Sequence, residues 1–242
     1  ASQLRSKTGA ELLDASFAKK VAVAMANDQE VQHDAQALFV LGPSAAGKSH
    51  ALRNGSVEFP RGALTLDGGF IRSVSTSWSK ALDIAKSKRL GGLTNYFKDY
   101  FKAPMDKVKN QVVDEAIRSR ANVVIPDTAS DFKATTAMVS KLLAAGYSLR
   151  FMAVFADKEV CESRGSSRES EEGKKFSSKN WQPSVQSILD LQAYLESSGL
   201  LAQTGSVVVM SNTGVLHNIS LADLAEKLRR ERGSAALGAS GS

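Results

Sequence analysis

An α/β fold is what the sequence predicts: a mostly parallel central sheet of about five strands with helices on both faces. Two observations predict it. Short apolar runs alternate along the chain with longer segments of helical periodicity, which is the pattern of parallel β-α units. The first of those runs, ALFVL, enters the loop GPSAAGKSH, whose last residues can open a helix. Gly42, Gly47, Lys48 and Ser49 fit the pattern G-x-x-x-x-G-K-[ST]. Between a strand and a helix this is a phosphate-binding loop, which narrows the fold to that of the P-loop NTPases and kinases.

The elements follow in order. Leu13, Phe17, Val21 and Met25 recur at helical spacing, so residues 10–27 read as an amphipathic helix within an N-terminal helical segment, 1–36. Strand two is ALTLD, residues 63–67, after which GGFIRSVSTSW passes from a loop into a helix. Residues 92–120 read as helical with a break at Pro104. ANVVIPD, 121–127, is strand three, and residues 131–145 form a helix stopped by Gly146. SLRFMAVFA, 148–156, is strand four. Residues 163–179 are polar and charged with no hydrophobic stripe, and read as a loop that acts as a lid. A helix over 181–198, a fifth strand at SVVVMS and a helix over 220–232 complete a single domain, 1–232. The Gly/Ala/Ser tail, 233–242, is expected to be disordered.

Composition bounds the function. With 242 residues, 43% hydrophobic and 23% charged, the chain has the make-up of an ordinary globular domain. Its single cysteine, Cys161, excludes an internal disulfide framework and any multi-cysteine zinc site. His33, His50 and His217 have no metal-ligand spacing. No apolar run approaches the roughly 20 residues that span a bilayer, and no signal-peptide pattern opens the sequence. The expectation is a protein without a membrane partner, cytoplasmic or secreted to act in a host cytoplasm. A net charge of +6 favours anionic ligands without separating nucleic acid from nucleotides.

Each position of the loop has a physical task. Glycines let the backbone curl so that successive N–H groups point inward as an anion nest. Gly42, Pro43, Ser44, Ala45, Ala46, Gly47, Lys48, Ser49 and His50 are therefore the candidate nucleotide cradle, with Lys48 on the β- and γ-phosphates of ATP and the Ser49 hydroxyl on Mg²⁺. In a parallel sheet ligands bind beyond the carboxyl ends of the strands. Strand two ends at Asp67, followed by Gly68 and Gly69, and strand three ends at Asp127, followed by Thr128. One carboxylate can hold Mg²⁺ while the other accepts the proton of an attacking hydroxyl, which makes Asp67 the candidate base and Asp127 a metal or substrate residue. In the charged stretch, Arg164, Arg168, Lys174 and Lys175 can close over a transferring phosphoryl group. Trp78, Tyr96, Phe97, Tyr100 and Phe101 sit at spacings that suit a core cluster better than a wall for a base or sugar.

This ordered layout resembles the zeta-toxin family of P-loop kinases. The resemblance runs from about residue 10 to residue 215 and is carried by FVLGPSAAGKS, by GGFIR after a strand ending in Asp, by DEAIRSR leading into NVVIPDT, by LLAAGY before SLRFMAVFA, and by SNTGV after the last strand. It implies transfer of the γ-phosphate of ATP to a hydroxyl of a small nucleotide-type molecule, such as a nucleotide sugar or a dinucleotide. It also implies a protein inhibitor of the antitoxin kind. Position by position it places Glu115 and Thr128 on the substrate, together with Arg72, and Asn212 where the family closes around adenine. It puts Arg164 or Arg168 on the first lid arginine, and Lys174 or Lys175 on the second.

Three positions depart from the family pattern. Gly69 stands where the toxins carry the second Asp of Asp-x-Asp, so either Asp67 serves as base or catalysis is impaired. Pro126 stands in place of a Glu, with Asp127 one residue later. Lysine replaces the second lid arginine, and a point charge is not a fork. Two other readings therefore stay open: a kinase of nucleic-acid 5′ ends, which the sequence supports weakly for want of an aromatic–basic run, and a nucleotide-binding module without catalysis.

Overall fold

The computed structural model describes residues 2–53, 58–88, 93–172, 176–212 and 215–239. Two helices open the chain, α1 (Ser2–Leu12) and α2 (Ala15–Ala26), where the sequence predicts one. Asp14 divides them: its carboxylate accepts the Ser16 N–H at 2.8 Å and caps α2. Phe17, Val21 and Met25 are buried along α2, whereas Leu13, at the break, is 51% exposed.

The sheet has six strands in the order β2-β3-β1-β4-β5-β6. They are β1 (Gln36–Leu41), β2 (Leu64–Thr65), β3 (Val123–Asp127), β4 (Ser148–Phe155), β5 (Val208–Asn212) and β6 (Leu216–Ile219). The first five are parallel, and β6 turns back antiparallel on β5 as an edge strand that the sequence reading does not contain. β1 is central and buried at every position after Gln36, because helices cover both faces of a parallel sheet. The chain leaves β1 across β3 to reach β2, and returns across β1 to reach β4. The strand order reverses there, so the crevice opens beyond the carboxyl end of β1.

The helices follow as α3 (Lys48–Arg53), α4 (Gly68–Val74), α5 (Thr76–Ser87), α6 (Thr94–Tyr96), α7 (Lys102–Arg118), α8 (Phe132–Ala144), α9 (Lys158–Glu172), α10 (Trp181–Ser197), α11 (Leu201–Thr204) and α12 (Leu221–Ala239). Pro104 does not break α7. It lies in the first turn, where its missing N–H costs little. The irregularity falls just before it, as a π-helical turn at Phe97–Phe101 in which the Lys102 N–H reaches the Phe97 carbonyl. Pro104 has no N–H to return to the carbonyl of Tyr100, and the wider turn absorbs the mismatch.

Two further expectations are corrected. The polar stretch after β4 is helix α9 through Glu172 rather than a loop. The Phe176 ring then lies against α9, so close that a Cβ on Gly165 would stand 2.2 Å from it. The C-terminal tail is helical through Ala239, because its run of Ala and Leu continues α12 beyond Arg232. Residues 240–242 lie outside the described residues.

Candidate functional site

The loop between β1 and α3 is held by backbone that tolerates no side chain at two points. Gly42 has φ +139°, and a Cβ there would stand 2.0 Å from the Val154 carbonyl oxygen of β4. Gly47 has φ +99°, and its Cβ would stand 2.0 Å from the Asn212 amide nitrogen at the end of β5. Both demand glycine on conformational and steric grounds. Between them Ala45 takes φ +63° and the Ala46 N–H donates to the Pro43 carbonyl. Lys48 curls back so that its ammonium donates to the carbonyls of Gly42 at 2.6 Å and Pro43 at 2.9 Å. Ser49 and His50 are exposed in the first turn of α3.

Asp127, which ends β3, and Asp67, which lies two residues past β2 rather than at the end of a strand over 63–67, share this edge of the sheet. The β1–β3 register sets Asp127 beside Leu41, the residue just before Gly42. Thr65 pairs with Val124 in the next strand, which brings Asp67, two residues on, to the same edge. Asp67 is half-buried and caps α4, its Oδ1 accepting the Gly69 N–H at 2.8 Å. Arg72, one turn into α4, folds back toward Gly68 and Gly69 and lies 5.9 Å from the centre of the Trp78 ring. Asp127 accepts the Ala129 N–H at 3.2 Å, and the Thr128 hydroxyl is 3.1 Å from that of Ser130.

Beside Asp127 opens a cavity of about 330 Å³. Leu66, Val113, Ile125 and Met138 give it an apolar lining, while Asp106, Lys109 and Asn110 of α7 bring polar groups to it with Asp127. The sequence reading misses these three. Only their spacing marks them: Asp106, Asn110 and Val113 recur every three or four residues and share one face of α7. Glu115 does not join them. It is exposed on the last turn of α7, ion-paired with Arg118, and α7 ends where the chain enters the amino end of β3, away from the loop.

On the other flank, Arg164 of α9 donates from its guanidinium to the Asn212 backbone carbonyl at 3.3 Å and stands near Gly47. The Asn212 side chain is 4% exposed and donates to the Ala46 carbonyl at 2.9 Å, so it grips the loop itself. Arg168 continues α9, and Lys174 and Lys175 lie outside the described residues. Cys161 is buried within one turn of Arg164, its thiol pushed up to about 11 chiefly by desolvation and its Sγ 3.6 Å from the Ala156 carbonyl, which excludes a thiolate nucleophile. Trp78, Tyr96, Phe97, Tyr100 and Phe101 pack on one another in tilted, edge-on and stacked ring contacts around the buried Trp78 and Phe101.

Among the described residues no cluster of three or more His, Cys, Asp or Glu could hold a metal. The donor set instead suits Mg²⁺, which keeps most of its water and needs one or two protein oxygens beside phosphate. Ser49 and Asp127 flank the loop and could supply them.

A family model, zeta toxin, matches residues 24–222. The chain belongs to the zeta toxin family. By that membership it is a P-loop kinase, a phosphotransferase. No curated protein matches it in sequence. Among solved structures it is similar to a chain of the PezAT chromosomal toxin–antitoxin system of Streptococcus pneumoniae, at 16% identity and a TM-score of 0.66, covering 98% of this chain and 97% of that one. It is also similar to a chain of the AvrRxo1-ORF1:-ORF2 complex, at 13% identity and a TM-score of 0.57, covering 93% of this chain and 71% of that one. The same complex with ATP gives a TM-score of 0.53 at 13% identity. At these identities the likenesses establish the shared fold. Among the described residues no helix is long and apolar enough to cross a membrane.

Proposed function

We propose that this kinase moves the γ-phosphate of ATP, in the presence of Mg²⁺, to a hydroxyl of a small nucleotide-type molecule such as a nucleotide sugar or dinucleotide. One observation carries the reading: Asp127 lines the 330 Å³ cavity and stands in register with Leu41, the residue that leads into the phosphate loop. The loop takes the donor and the cavity takes the acceptor.

The reading assigns each residue a role. Lys48 exchanges its two loop carbonyls for the β- and γ-phosphate oxygens, which carry more charge than a peptide oxygen. Mg²⁺, held by Ser49 and Asp127, would offset charge on the phosphates. Asp67 takes the proton of the acceptor hydroxyl as its oxygen bonds to the γ-phosphorus and the bond to the leaving ADP breaks. Arg164 stands beside Gly47 to meet charge on the phosphoryl oxygens, and the polar groups of α7 orient the acceptor. Arg168, Lys174 and Lys175 would bring further positive charge to the transferring phosphoryl group. A protein inhibitor of the antitoxin kind is part of the same reading, since the PezAT relative belongs to a toxin–antitoxin system.

The test is a reaction with ATP and Mg²⁺ followed by ³¹P NMR and mass spectrometry. The pool contains UDP-N-acetylglucosamine, UDP-N-acetylgalactosamine, NAD, nucleosides and a 5′-hydroxyl oligonucleotide, with Lys48→Ala as control. A new phosphomonoester on a nucleotide sugar or NAD, absent from the control, is the expected result. Phosphate on the oligonucleotide alone overturns the acceptor class. ATP binding with no product from the pool excludes every acceptor in it.

A further inference from the structure

We infer that Asn212 is a positioning residue of the phosphate loop, whose side-chain amide sets the direction of the Gly47 N–H. The inference rests on the loop binding nucleoside triphosphate, as proposed above, and adds a residue from a strand that does not touch β1.

β4 separates β5 from β1 in the sheet, and Asn212 ends β5. From there its side chain reaches over the end of β4 to the loop, with Nδ2 donating to the Ala46 carbonyl at 2.9 Å. The contact spans 166 positions of chain and is buried. The peptide joining Ala46 to Gly47 is planar and trans, so its C=O and N–H point in opposite directions. Holding the carbonyl toward β5 therefore turns the Gly47 N–H away from β5, toward the interior of the loop. Gly47 is fitted to this arrangement, because any Cβ would occupy the place of the Asn212 amide nitrogen. The same residue's backbone carbonyl accepts from Arg164, so one strand end fixes both a loop peptide and the arginine beside it. The buried contact between Asn212 and Ala46 is shielded from solvent competition. An N–H held toward a phosphate before it arrives costs no reorganisation on binding.

The test uses an isosteric change with a built-in rescue. In Asn212→Asp the donor becomes a carboxylate oxygen facing the Ala46 carbonyl, two acceptors in contact. Protonation of that carboxyl supplies an O–H in the place of the lost N–H. Binding of a fluorescent ATP analogue is measured for wild type, Asn212→Asp, Asn212→Ala and Lys48→Ala between pH 5 and 8, with thermal unfolding of each. At pH 8 both Asn212 variants are expected to bind at least about tenfold more weakly than wild type, a change of ~1.4 kcal/mol. As pH falls, the deficit of Asn212→Asp relative to wild type shrinks, while that of Asn212→Ala does not. A merely structural role predicts no such rescue. Asp and Ala variants that bind as wild type does overturn the inference. Failure of wild type to bind the analogue, with Lys48→Ala no different, instead overturns the nucleotide reading on which it rests.

Discussion

The carboxyl edge of the sheet has two halves that are built differently. On the β1, β4 and β5 side the phosphate loop is held at its own backbone: Gly42 lies against the Val154 carbonyl and the Ala46 carbonyl accepts from the Asn212 side chain. On the β2 and β3 side a cavity of about 330 Å³ opens between helix faces, lined by side chains of α7 and α8. Gly69 on that side is unlike Gly42: its φ is not in the left-handed region, and the atom nearest to an added Cβ is the Asp67 carboxylate oxygen at 3.4 Å. The contrast teaches where variation is tolerated. On the function proposed above, a donor common to many kinases would be met by geometry that admits one residue, and the acceptor by side chains that can be exchanged.

Four predictions test this contrast. The largest effect concerns the two charged residues nearest the chemistry. Lys48→Ala should lower transfer by about 10²–10³-fold and weaken ATP binding, whereas Asp67→Asn should lower transfer by a comparable ~10²–10⁴-fold and leave ATP binding intact. Steady-state kinetics beside nucleotide titration separates the two, and retained turnover in Asp67→Asn removes Asp67 as the base. Next come the glycines. Gly42→Ala should lose about 1–3 kcal/mol of stability together with nucleotide binding, because its φ and the Val154 carbonyl both oppose it. Gly69→Ala, inside α4, should be neutral or gain up to ~1 kcal/mol. Equal losses in thermal unfolding would erase the distinction between the halves.

A smaller effect sharpens the comparison at the base of the acceptor side. Glu11 of α1 accepts the Thr76 N–H at 2.6 Å and the Ser77 N–H at 2.9 Å, capping α5 from another helix. Burial works to raise its pKa, but the hydrogen bonds from Ser77 and Thr76 outweigh it and hold the carboxyl below its ordinary value of 4.5. The folded value is the lower one, so this stabilisation is present above the unfolded pKa and is lost as pH falls through the folded pKa. Thermal unfolding of wild type should therefore fall more steeply below about pH 4.5 than that of Glu11→Gln. A parallel dependence would remove Glu11 as the cause. The smallest effect is at Glu115: its pair with Arg118 is solvent-exposed, so Glu115→Ala should change stability by less than about 0.5 kcal/mol and transfer not at all. A large loss of transfer would return Glu115 to the acceptor site.

Legibility in the sequence followed the same divide. The loop from Gly42 to Ser49 and the strand-end position of Asp127 were readable, because each depends on local backbone demands or on where an apolar run stops, whereas the strand expected over 63–67 covers only Leu64–Thr65 and leaves Asp67 as the cap of α4. The helix break at Asp14, the helical course of Arg164 and the lining role of Asn110 in place of Glu115 were not. A capping side chain competes with a continuous apolar period, a charged helix without a stripe looks like a loop, and one turn along α7 carries a side chain from the cavity to solvent.

By itself the sequence determined the α/β class, the place of the phosphate loop and the carboxylate that ends β3, since periodicity, glycine and strand length are local properties of the chain. Tertiary structure alone decided that Asn212, 166 positions from Ala46, grips the loop, and that Asp106, Lys109 and Asn110 meet Asp127 around one cavity. Such meetings depend on the order of strands in the sheet and on the rotation of a helix about its axis, and no short stretch of sequence carries either quantity.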